Sequence, residues 1–364
     1  VFVRRQGHRC IRDRFKIVGS TMNFWHCYVK HNPDALSNIL KLADRAYRIG
    51  YPFMSDEEFD EIADGEEIPI DDNPTDGDEV YYETPMKSQQ KTYRFDDVKP
   101  FRQNMCVASL KLDGFAINLE YRHGVLVNAS TRGKGTYGIC CLNHVLAGFC
   151  DVPVVLPMDS IAATYTRLHV RGEMIIPNRF ADDAHTARSI AVGLFKRDDL
   201  TGIDAYEPKF FAYDVLLDED YIDRLEILEE LGFATVPHQL LKVNDDSLSA
   251  DMFSLPDYDA DGIVIRINDR KIFSSKGETG HHPKGSIALK FKTDIAEATV
   301  TQIEWSVGAK TGKMTPIVWI EPVILSGCQI QKLNGGNIAK SLSVGDRIRI
   351  TRKGGVIPVI LEKV

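Results

Sequence analysis

A lysine and a carboxylate stand two residues apart in Lys111-Leu112-Asp113-Gly114, at the end of an apolar run. If that run is a β-strand, Lys111 and Asp113 share one face, because side chains alternate along a strand. A lysine attacks an electrophile only after its ammonium has lost a proton, which burial or a neighbouring cation favours. Such a tetrad occurs by chance in roughly one chain of this length in ten, so the residues that follow it decide its meaning.

Four further charged clusters follow the tetrad. A lysine nucleophile among cations and carboxylates suits attack on a phosphorus centre, because the cations hold the phosphate and the carboxylates hold Mg²⁺. Lys290 is the expected phosphate ligand, and Lys292 is expected on the solvated surface. The clusters are Ser130-Thr131-Arg132-Gly133, Val170-Arg171-Gly172-Glu173, Asp261-Gly262-Ile263-Val264-Ile265-Arg266 and Ala288-Leu289-Lys290-Phe291-Lys292, with Arg188 and Lys196 between the second and the third.

The composition is typical of a globular protein of two or three domains, with 364 residues, 43% hydrophobic and 26% charged. No apolar stretch is long enough to span a bilayer, so we expect no membrane partner. The seven cysteines contain no Cys-x-x-Cys pair, which argues against zinc and fits a reducing compartment. We therefore expect a cytoplasmic protein. Two alternatives remain for the first residues: the natural protein starts at Met22, or the residues before Met22 form a basic arm.

The net charge of −8 is distributed unevenly. Residues 56–97 carry three Lys/Arg against sixteen Asp/Glu, whereas residues 1–48 carry ten against three. Residues 295–364 carry nine Lys/Arg against five Asp/Glu, so the C-terminal part is basic although the whole chain is acidic. A local basic face is what contact with a nucleic-acid backbone requires.

The pattern of apolar residues predicts a multidomain α+β protein. After an extension at 1–33, helical spacing and a capping box at Ser55-Asp56-Glu57-Glu58 predict a small helical domain at 34–83. Residues 84–294 alternate between strand and helix patterns, and residues 295–364 carry only strand signals, which predicts an OB-fold β-barrel. Strands are expected at 106–113, 116–121, 168–176, 209–216, 262–267 and 286–292, and in the barrel at 299–307, 317–325 and 347–352.

In the order of its motifs the chain resembles the NAD-dependent DNA ligases, over about residues 36–364. The lysine tetrad is similar to the family's adenylated-lysine motif, and the later clusters are similar to its Thr-Arg-Gly loop and its third to fifth motifs. The resemblance implies a nucleotidyltransferase (ATP-grasp-like, ligase-type) α+β domain at 84–294. The usual bacterial enzyme continues with zinc-finger, helix-hairpin-helix and BRCT domains, so we expect a compact, phage- or virus-type enzyme, or a second subunit that supplies them.

The resemblance implies three chemical steps. Lys111 attacks the adenylyl phosphate of NAD⁺ and releases nicotinamide mononucleotide, AMP passes to the 5′-phosphate of a nick in double-stranded DNA, and the 3′-hydroxyl then displaces AMP. By analogy Asp113 supports the lysine, Asp261 supports the lysine and the metal, and Glu173 and Asp261 hold Mg²⁺ through water. The remaining implied roles are nucleotide contact for Arg132 and Glu173, phosphate contact for Arg266 and Lys290, and contact with the AMP or nick phosphate for Arg188 and Lys196.

The implied cofactor site departs from the family's pattern at four positions. Ser109 stands where the family has Glu, Arg48 where it has His, Phe59 where it has Tyr, and Arg266 where it has Lys; the last change keeps the charge but not the geometry. Its helical spacing equally allows Tyr47 to be a core aromatic on the apolar face of its helix. The expected cofactor-binding residues are Tyr47, Arg48, Asp56, Phe59, Asp60, Ser88, Gln89, Ser109, Lys111, Arg132, Glu173, Arg266 and Lys290.

Two other functions are alternatives. An ATP-dependent ligase or a capping-type nucleotidyltransferase would share the lysine motif but lack the two-helix module. A catalytically weak nucleotide- or DNA-binding subunit that needs a partner would explain Ser109, Arg48 and Phe59. An AMP adduct formed with NAD⁺, with ATP or with neither separates the three functions.

Overall fold

The structure is a computed structural model of the chain. Contacts between Cα atoms divide the chain into two compact units, Val1–Leu289 and Lys290–Val364. The residues that the structure describes are 24–65, 69–148, 151–157, 165–182, 185–244, 248, 252–253, 255–290, 295–307, 314–325, 328–336, 338–353 and 357–364.

The part of the chain up to residue 290 contains both helices and strands. No helix that the structure describes is long and apolar enough to cross a membrane. The helices are α1 (Phe24–His31), α2 (Leu36–Arg48), α3 (Asp56–Ala63), α4 (Leu142–Gly148), α5 (Ala187–Leu194), α6 (Tyr221–Glu230) and α7 (Arg270–Ser275). The strands are β1 (Glu79–Tyr81), β2 (Lys91–Thr92), β3 (Met105–Leu112), β4 (Phe115–Arg122), β5 (Val125–Thr131), β6 (Tyr137–Ile139), β7 (Arg167–Ile175), β8 (Lys209–Val215), β9 (Ala234–Thr235), β10 (His238–Lys242), β11 (Ala260–Ile267) and β12 (Ser286–Lys290).

Two five-stranded sheets form the frame of the first unit. One has the strand order β10-β3-β11-β12-β2 and the other has the order β5-β4-β7-β8-β9, while β1 pairs separately with β6. One hydrophobic core joins residues of the sheets, such as Val107, Leu119 and Val170, with residues of the helices. The six strands predicted in this unit begin within two residues of their expected positions. The expected α+β class is confirmed.

Gly114 carries the chain from one sheet to the other, between β3 and β4. A Cβ atom at this position would lie 2.0 Å from the backbone oxygen of Met174 and 2.4 Å from the Ile175 side chain, so only glycine fits against β7. This close approach brings the end of β3, with Lys111, next to the strand that carries Glu173. The glycine of the tetrad is therefore required by packing between the sheets.

The register of β3 and β11 determines which side chains face each other. Lys111 pairs with Gly262, and Ser109 and Arg266 lie on the same face of this strand pair. A register shift next to Gly262 marks a β-bulge. Because a bulge re-aims the side chains around it, Asp261 departs from the regular alternation of the strand.

The N-terminal helices pack on the same core as the sheets. The capping box is confirmed: the Ser55 hydroxyl accepts from the backbone N–H of Glu58, and the Glu58 carboxylate accepts from that of Ser55. Helix α1 lies within the expected extension and is not predicted by the sequence, yet its Trp25 and Tyr28 are buried. Eight residues give too few turns for a periodic apolar pattern to be recognised.

The second unit is a closed barrel with the strand order β13-β14-β15-β17-β16. Val300, Val318, Leu333 and Ile348 belong to its core. The sequence does not predict β15 and β17, because Gln and Lys interrupt the apolar residues of the first and Pro358 interrupts the second. The strands are β13 (Ile295–Val307), β14 (Met314–Leu325), β15 (Cys328–Asn334), β16 (Arg347–Lys353) and β17 (Ile357–Lys363).

Candidate adenylation site

Lys111 and Asp261 form an ion pair in which Nζ lies 2.8 Å from Oδ1. The two side chains are 21% and 18% exposed, so the pair is largely shielded from water but still open to a ligand. The pairing of β3 and β11 explains the contact, since the lysine stands opposite Gly262, which has no side chain. An amine held beside a carboxylate has a fixed direction and a nearby proton acceptor.

Asp113, the acid of the tetrad, binds Arg188. The Nη1 atom of Arg188 donates a hydrogen bond to Oδ1 of Asp113. Arg188 lies in the first turn of α5, and the Thr186 side chain caps this helix by accepting from the backbone N–H of Ser189. The cap fixes the start of the helix and so directs Arg188 toward the turn after β3. The pair is 75 positions apart in the chain, so no local pattern predicts the contact.

Glu173 lies on β7 among these charges. Burial raises the pKa of its carboxyl to about 7, while the positive charges of Lys111 and Arg188 lower this pKa and the negative charge of Asp113 raises it. We call Lys111, Asp113, Glu173, Arg188 and Asp261 the lysine cluster. A carboxyl group with this pKa exchanges between its acid and its carboxylate at neutral pH.

Arg132 lies at the edge of the lysine cluster, where its charge also lowers the pKa of Glu173. Its backbone N–H donates to the Ala116 oxygen at 2.9 Å, and its Nη1 lies 3.4 Å from Oγ of Ser88. Gln89 follows directly, and its Oε1 accepts a hydrogen bond from the serine hydroxyl that begins β12, at 2.5 Å. Two further residues of the predicted cofactor site therefore lie in one short segment beside Arg132.

Arg266 belongs to a second group of charged and aromatic side chains, which come from both sheets and from two helices. Its Nη1 donates to Asp214 at 2.9 Å, and its guanidinium carbon lies 4.0 Å and 4.4 Å from the ring centres of Tyr221 and Phe273. Burial would raise the pKa of Asp214, but the charges of Arg266 and Arg224 outweigh it and hold this pKa low. The group lines a cavity of about 240 Å³. Arg266 lies four residues along β11 from the partner of the nucleophile, or about 13 Å.

Two expected phosphate ligands lie elsewhere in the chain. Lys196 is exposed, two residues after the end of α5. Lys290 is partly buried, ends β12 and is the first residue of the second unit. Phe291 and Lys292 lie outside the described residues. The roles of Lys196 and Lys290 stay predictions.

The predicted mononucleotide-binding residues lie on α2 and α3. Tyr47 is 64% exposed and is therefore not the core aromatic that its helical spacing also allows. Arg48 forms an ion pair at 2.9 Å with the aspartate four residues earlier, and Asp56 and Asp60 are exposed. Phe59 is half-buried and packs against the core. The tyrosine and the two acids are thus open to a ligand, whereas Phe59 contributes to packing.

Tyr213 and Asp214 on β8 are not predicted from the sequence, although both lie among the charged side chains of the candidate site. Burial raises the pKa of Tyr213, and the negative charge of Glu173 raises it further, so the phenol lies beside the lysine cluster. Asp214 is the partner of Arg266. A signal is present in the sequence, since a buried acid inside an apolar strand requires a cationic partner. What the sequence cannot provide is which cation that is.

The chain contains a nucleotidyltransferase-type ligase domain followed by an OB-fold domain. Residues 76–294 match the family described as NAD-dependent DNA ligase adenylation domain, and residues 297–364 match the NAD-dependent DNA ligase OB-fold domain. The first match alone covers more than half of the chain. This protein therefore belongs to the NAD-dependent DNA ligase family, and the resemblance seen in the motifs is confirmed.

Several bacterial proteins are similar to this chain. The DNA ligase of Mycoplasmopsis agalactiae is 29% identical over 315 residues, which cover 77% of this chain and 46% of that protein. DNA ligase 1 of Nocardia farcinica is 29% identical over 377 residues, covering 90% and 55%. The chain thus spans about half the length of the curated relatives it matches. A solved structure, mycobacterial DNA ligase D complexed with ATP and MES, gives a TM-score of 0.35 at 14% identity over 71% of this chain and 89% of that chain, which is too low to support an argument.

Proposed function

We propose that this protein is an NAD⁺-dependent ligase that seals nicks in double-stranded DNA through a lysyl-AMP intermediate. The observation that carries the proposal is the lysine cluster, in which an amine lies 2.8 Å from one carboxylate beside a second carboxyl of raised pKa. Membership of the family supports NAD⁺ as the donor of AMP and nicked DNA as the acceptor.

The lysine cluster suits the first chemical step. Nζ of Lys111, after losing a proton, attacks the adenylyl phosphorus of NAD⁺; a P–N bond forms while the P–O bond to nicotinamide mononucleotide breaks. Asp261 forms an ion pair with Nζ and so orients it. Glu173, with a pKa of about 7, is able to take up a proton at neutral pH. Arg188 and Arg132 offer positive charge to the phosphate oxygens.

Glu173 and Asp261 fit the proposed Mg²⁺ ion. Carboxylate oxygens and water are the ligands that Mg²⁺ prefers. The raised pKa of Glu173 belongs to a buried carboxyl that the cations around it compensate only in part, so a divalent cation nearby would favour its charged form. When bound through water to these residues, the ion would neutralise charge on the phosphate.

The later steps take place at the same nucleotide. AMP passes from Lys111 to the 5′-phosphate of the nick, and the 3′-hydroxyl then displaces AMP and joins the strands. Lys196 and Lys290 are proposed to contact phosphate in these steps. The exposed Tyr47 and the acids of α3 are proposed to hold the nicotinamide mononucleotide half of NAD⁺.

The cellular setting is also part of the proposal. Cys27, Cys106, Cys140 and Cys141 are free thiols, which fits the reducing cytoplasm. A second subunit that supplies further DNA contacts is also part of the proposal. Nicked duplex DNA is the proposed nucleic-acid substrate.

Nucleotide dependence tests the proposed function. The purified chain is incubated with Mg²⁺ and either NAD⁺ or ATP, its intact mass is measured, and a nicked duplex is then added. We expect an AMP adduct with NAD⁺ only, followed by sealing of the nick, and no adduct for Lys111→Ala. An adduct with ATP only would make the protein an ATP-dependent relative. Bound nucleotide without an adduct in either condition would make it a binding subunit.

A further inference from the structure

We propose that Arg171 is a positioning residue that clamps residues 82–89, which we call the strap, so that Ser88 and Gln89 meet the AMP half of the nucleotide. The inference rests on the proposed function, since the cleft binds AMP only if the lysine cluster is an adenylation site. Arg171 lies two residues before Glu173 on β7, and the two side chains share a face. Arg171 acts through the strap.

The guanidinium of Arg171 binds two consecutive backbone carbonyls of the strap. Its Nη2 donates to the Thr84 oxygen, and its Nη1 lies 3.3 Å from the Pro85 oxygen. The residue is only 8% exposed, and burial lowers the pKa of its guanidinium. A buried cation is unfavourable unless its donors are bonded, and the planar fork of arginine matches two adjacent acceptors. Pro85 itself fixes the backbone path at this point.

Contacts on either side of this clamp fix the ends of the strap. At its start the Tyr82 hydroxyl donates to the Thr131 oxygen, at the end of β5. Just beyond its end the Gln90 oxygen accepts from the backbone N–H of Ala288 at 2.7 Å, in β12. The strap therefore crosses from one sheet of the first unit to the other. Arg171 holds it between these two attachments.

The strap presents two polar residues, Ser88 and Gln89, three and four positions after Pro85. The Ser88 hydroxyl lies 3.4 Å from Nη1 of Arg132, and the Ser88 backbone oxygen lies 3.1 Å from Nδ1 of His282. Gln89 is bound to the serine that begins β12. Arg132 in turn acts on the charge of Glu173. A displacement of the strap at Thr84 and Pro85 thus reaches the edge of the lysine cluster through Ser88.

Arg45 on α2 provides a matched control. It is 9% exposed, and its Nη1 and Nη2 donate to the backbone oxygens of Pro74 at 2.9 Å and Asn73 at 3.2 Å, while Nε donates to Asp71. This is the same kind of buried clamp on a different segment. Substitution of Arg45 measures what the loss of such a clamp does to stability in general, without touching the strap.

Binding of AMP alone to the full, unmodified chain tests the inference. A separate experiment first establishes that the wild-type protein forms an AMP adduct with NAD⁺. By isothermal titration we expect Arg171→Met to weaken AMP affinity about tenfold, because the displaced strap would lose about one hydrogen bond from Ser88 to the nucleotide. Arg171→Lys keeps the cation and should recover part of the affinity. Arg45→Met should bind AMP within about twofold of wild type, even if its melting temperature falls as much as that of Arg171→Met.

A double-mutant cycle distinguishes positioning from a structural role. If Arg171 acts through Ser88, Ser88→Ala should weaken AMP binding in the wild-type background and change little once Arg171→Met is present. Fully additive losses, or equal AMP affinities for Arg171→Met and Arg45→Met, would overturn the inference. If Arg171→Met does not fold, Arg171→Lys is used in the same cycle. A wild-type protein that forms no AMP adduct would instead overturn the proposed function.

Discussion

At the residue scale, the chemistry depends on how charge is shared around Lys111. Asp261 holds the lysine at 2.8 Å, and Arg188 is held by Asp113. A cation that binds Asp261 would compete with the lysine for the same carboxylate, so binding of the proposed Mg²⁺ ion would be coupled to release of Nζ. Glu173 is the member of the lysine cluster that changes its protonation near neutral pH, because burial raises its pKa to about 7.

The raised pKa of Glu173 makes stability depend on pH. Between pH 4.5, the ordinary pKa of a glutamate, and about pH 7, the Glu173 carboxyl is protonated in the folded protein but ionised in the unfolded chain. Glu173 therefore contributes up to about 3 kcal/mol to the free energy of unfolding. This contribution is fully present below pH 4.5 and is lost as the pH rises through the folded-state pKa of about 7. Urea midpoints measured between about pH 5 and pH 8 should fall for wild type and stay flatter for Glu173→Gln. If the urea midpoints of wild type and Glu173→Gln changed with pH in parallel, Glu173 would not be the group responsible for the pH dependence.

Arg188 should matter for adenylation because Asp113 directs it toward the lysine. Removing the guanidinium leaves Asp113 without this partner and takes positive charge from the proposed phosphate site. We expect Arg188→Met to slow formation of the AMP adduct by about ten- to a hundredfold. Arg197→Met serves as a control, because that side chain lies over the Tyr206 ring. Equal rates for the two variants, measured by single-turnover mass spectrometry, would show that Arg188 has no such role.

At the element scale, the strands of the site are predictable but their contacts are not. The apolar runs before Lys111 and before Asp214 mark β3 and β8, since a local pattern reports which residues are buried. The pairing of Asp214 with Arg266 joins residues 52 positions apart, and no local pattern carries that information. Helix α1 is missed for a different reason, because its burial depends on a core assembled from distant strands.

The turn between β3 and β4 should tolerate no side chain. In Gly114→Ala the new Cβ would meet the Met174 oxygen at 2.0 Å, so the sheets must move apart. We expect a loss of about 2–4 kcal/mol in the free energy of unfolding and loss of the AMP adduct. Gly193→Ala in α5 is the matched substitution, with no atom within 4 Å of its Cβ, and should stabilise by about 0.5–1 kcal/mol. Similar urea midpoints for both variants would contradict the packing argument.

At the scale of the whole molecule, the proposed binding of DNA requires a local basic region, because the net charge of the chain is −8. Residues 295–364, with nine Lys/Arg against five Asp/Glu, are the candidate. The affinity for a nicked duplex should then fall steeply with salt, by about tenfold or more between 50 and 200 mM, as counterions compete for phosphate contacts. Fluorescence anisotropy of the full chain measures this slope. An affinity that is flat over this range would contradict phosphate contact by the barrel.

The decisive experiment for the proposed lysyl-AMP intermediate is to identify the residue that carries AMP. After incubation with NAD⁺ and Mg²⁺, the full chain is digested and its peptides are sequenced by tandem mass spectrometry. We expect AMP on Lys111 alone, and none in Lys111→Arg, which keeps the positive charge beside Asp261 but has no nucleophilic amine. AMP on any other residue, or an adduct that persists in Lys111→Arg, would contradict this expectation.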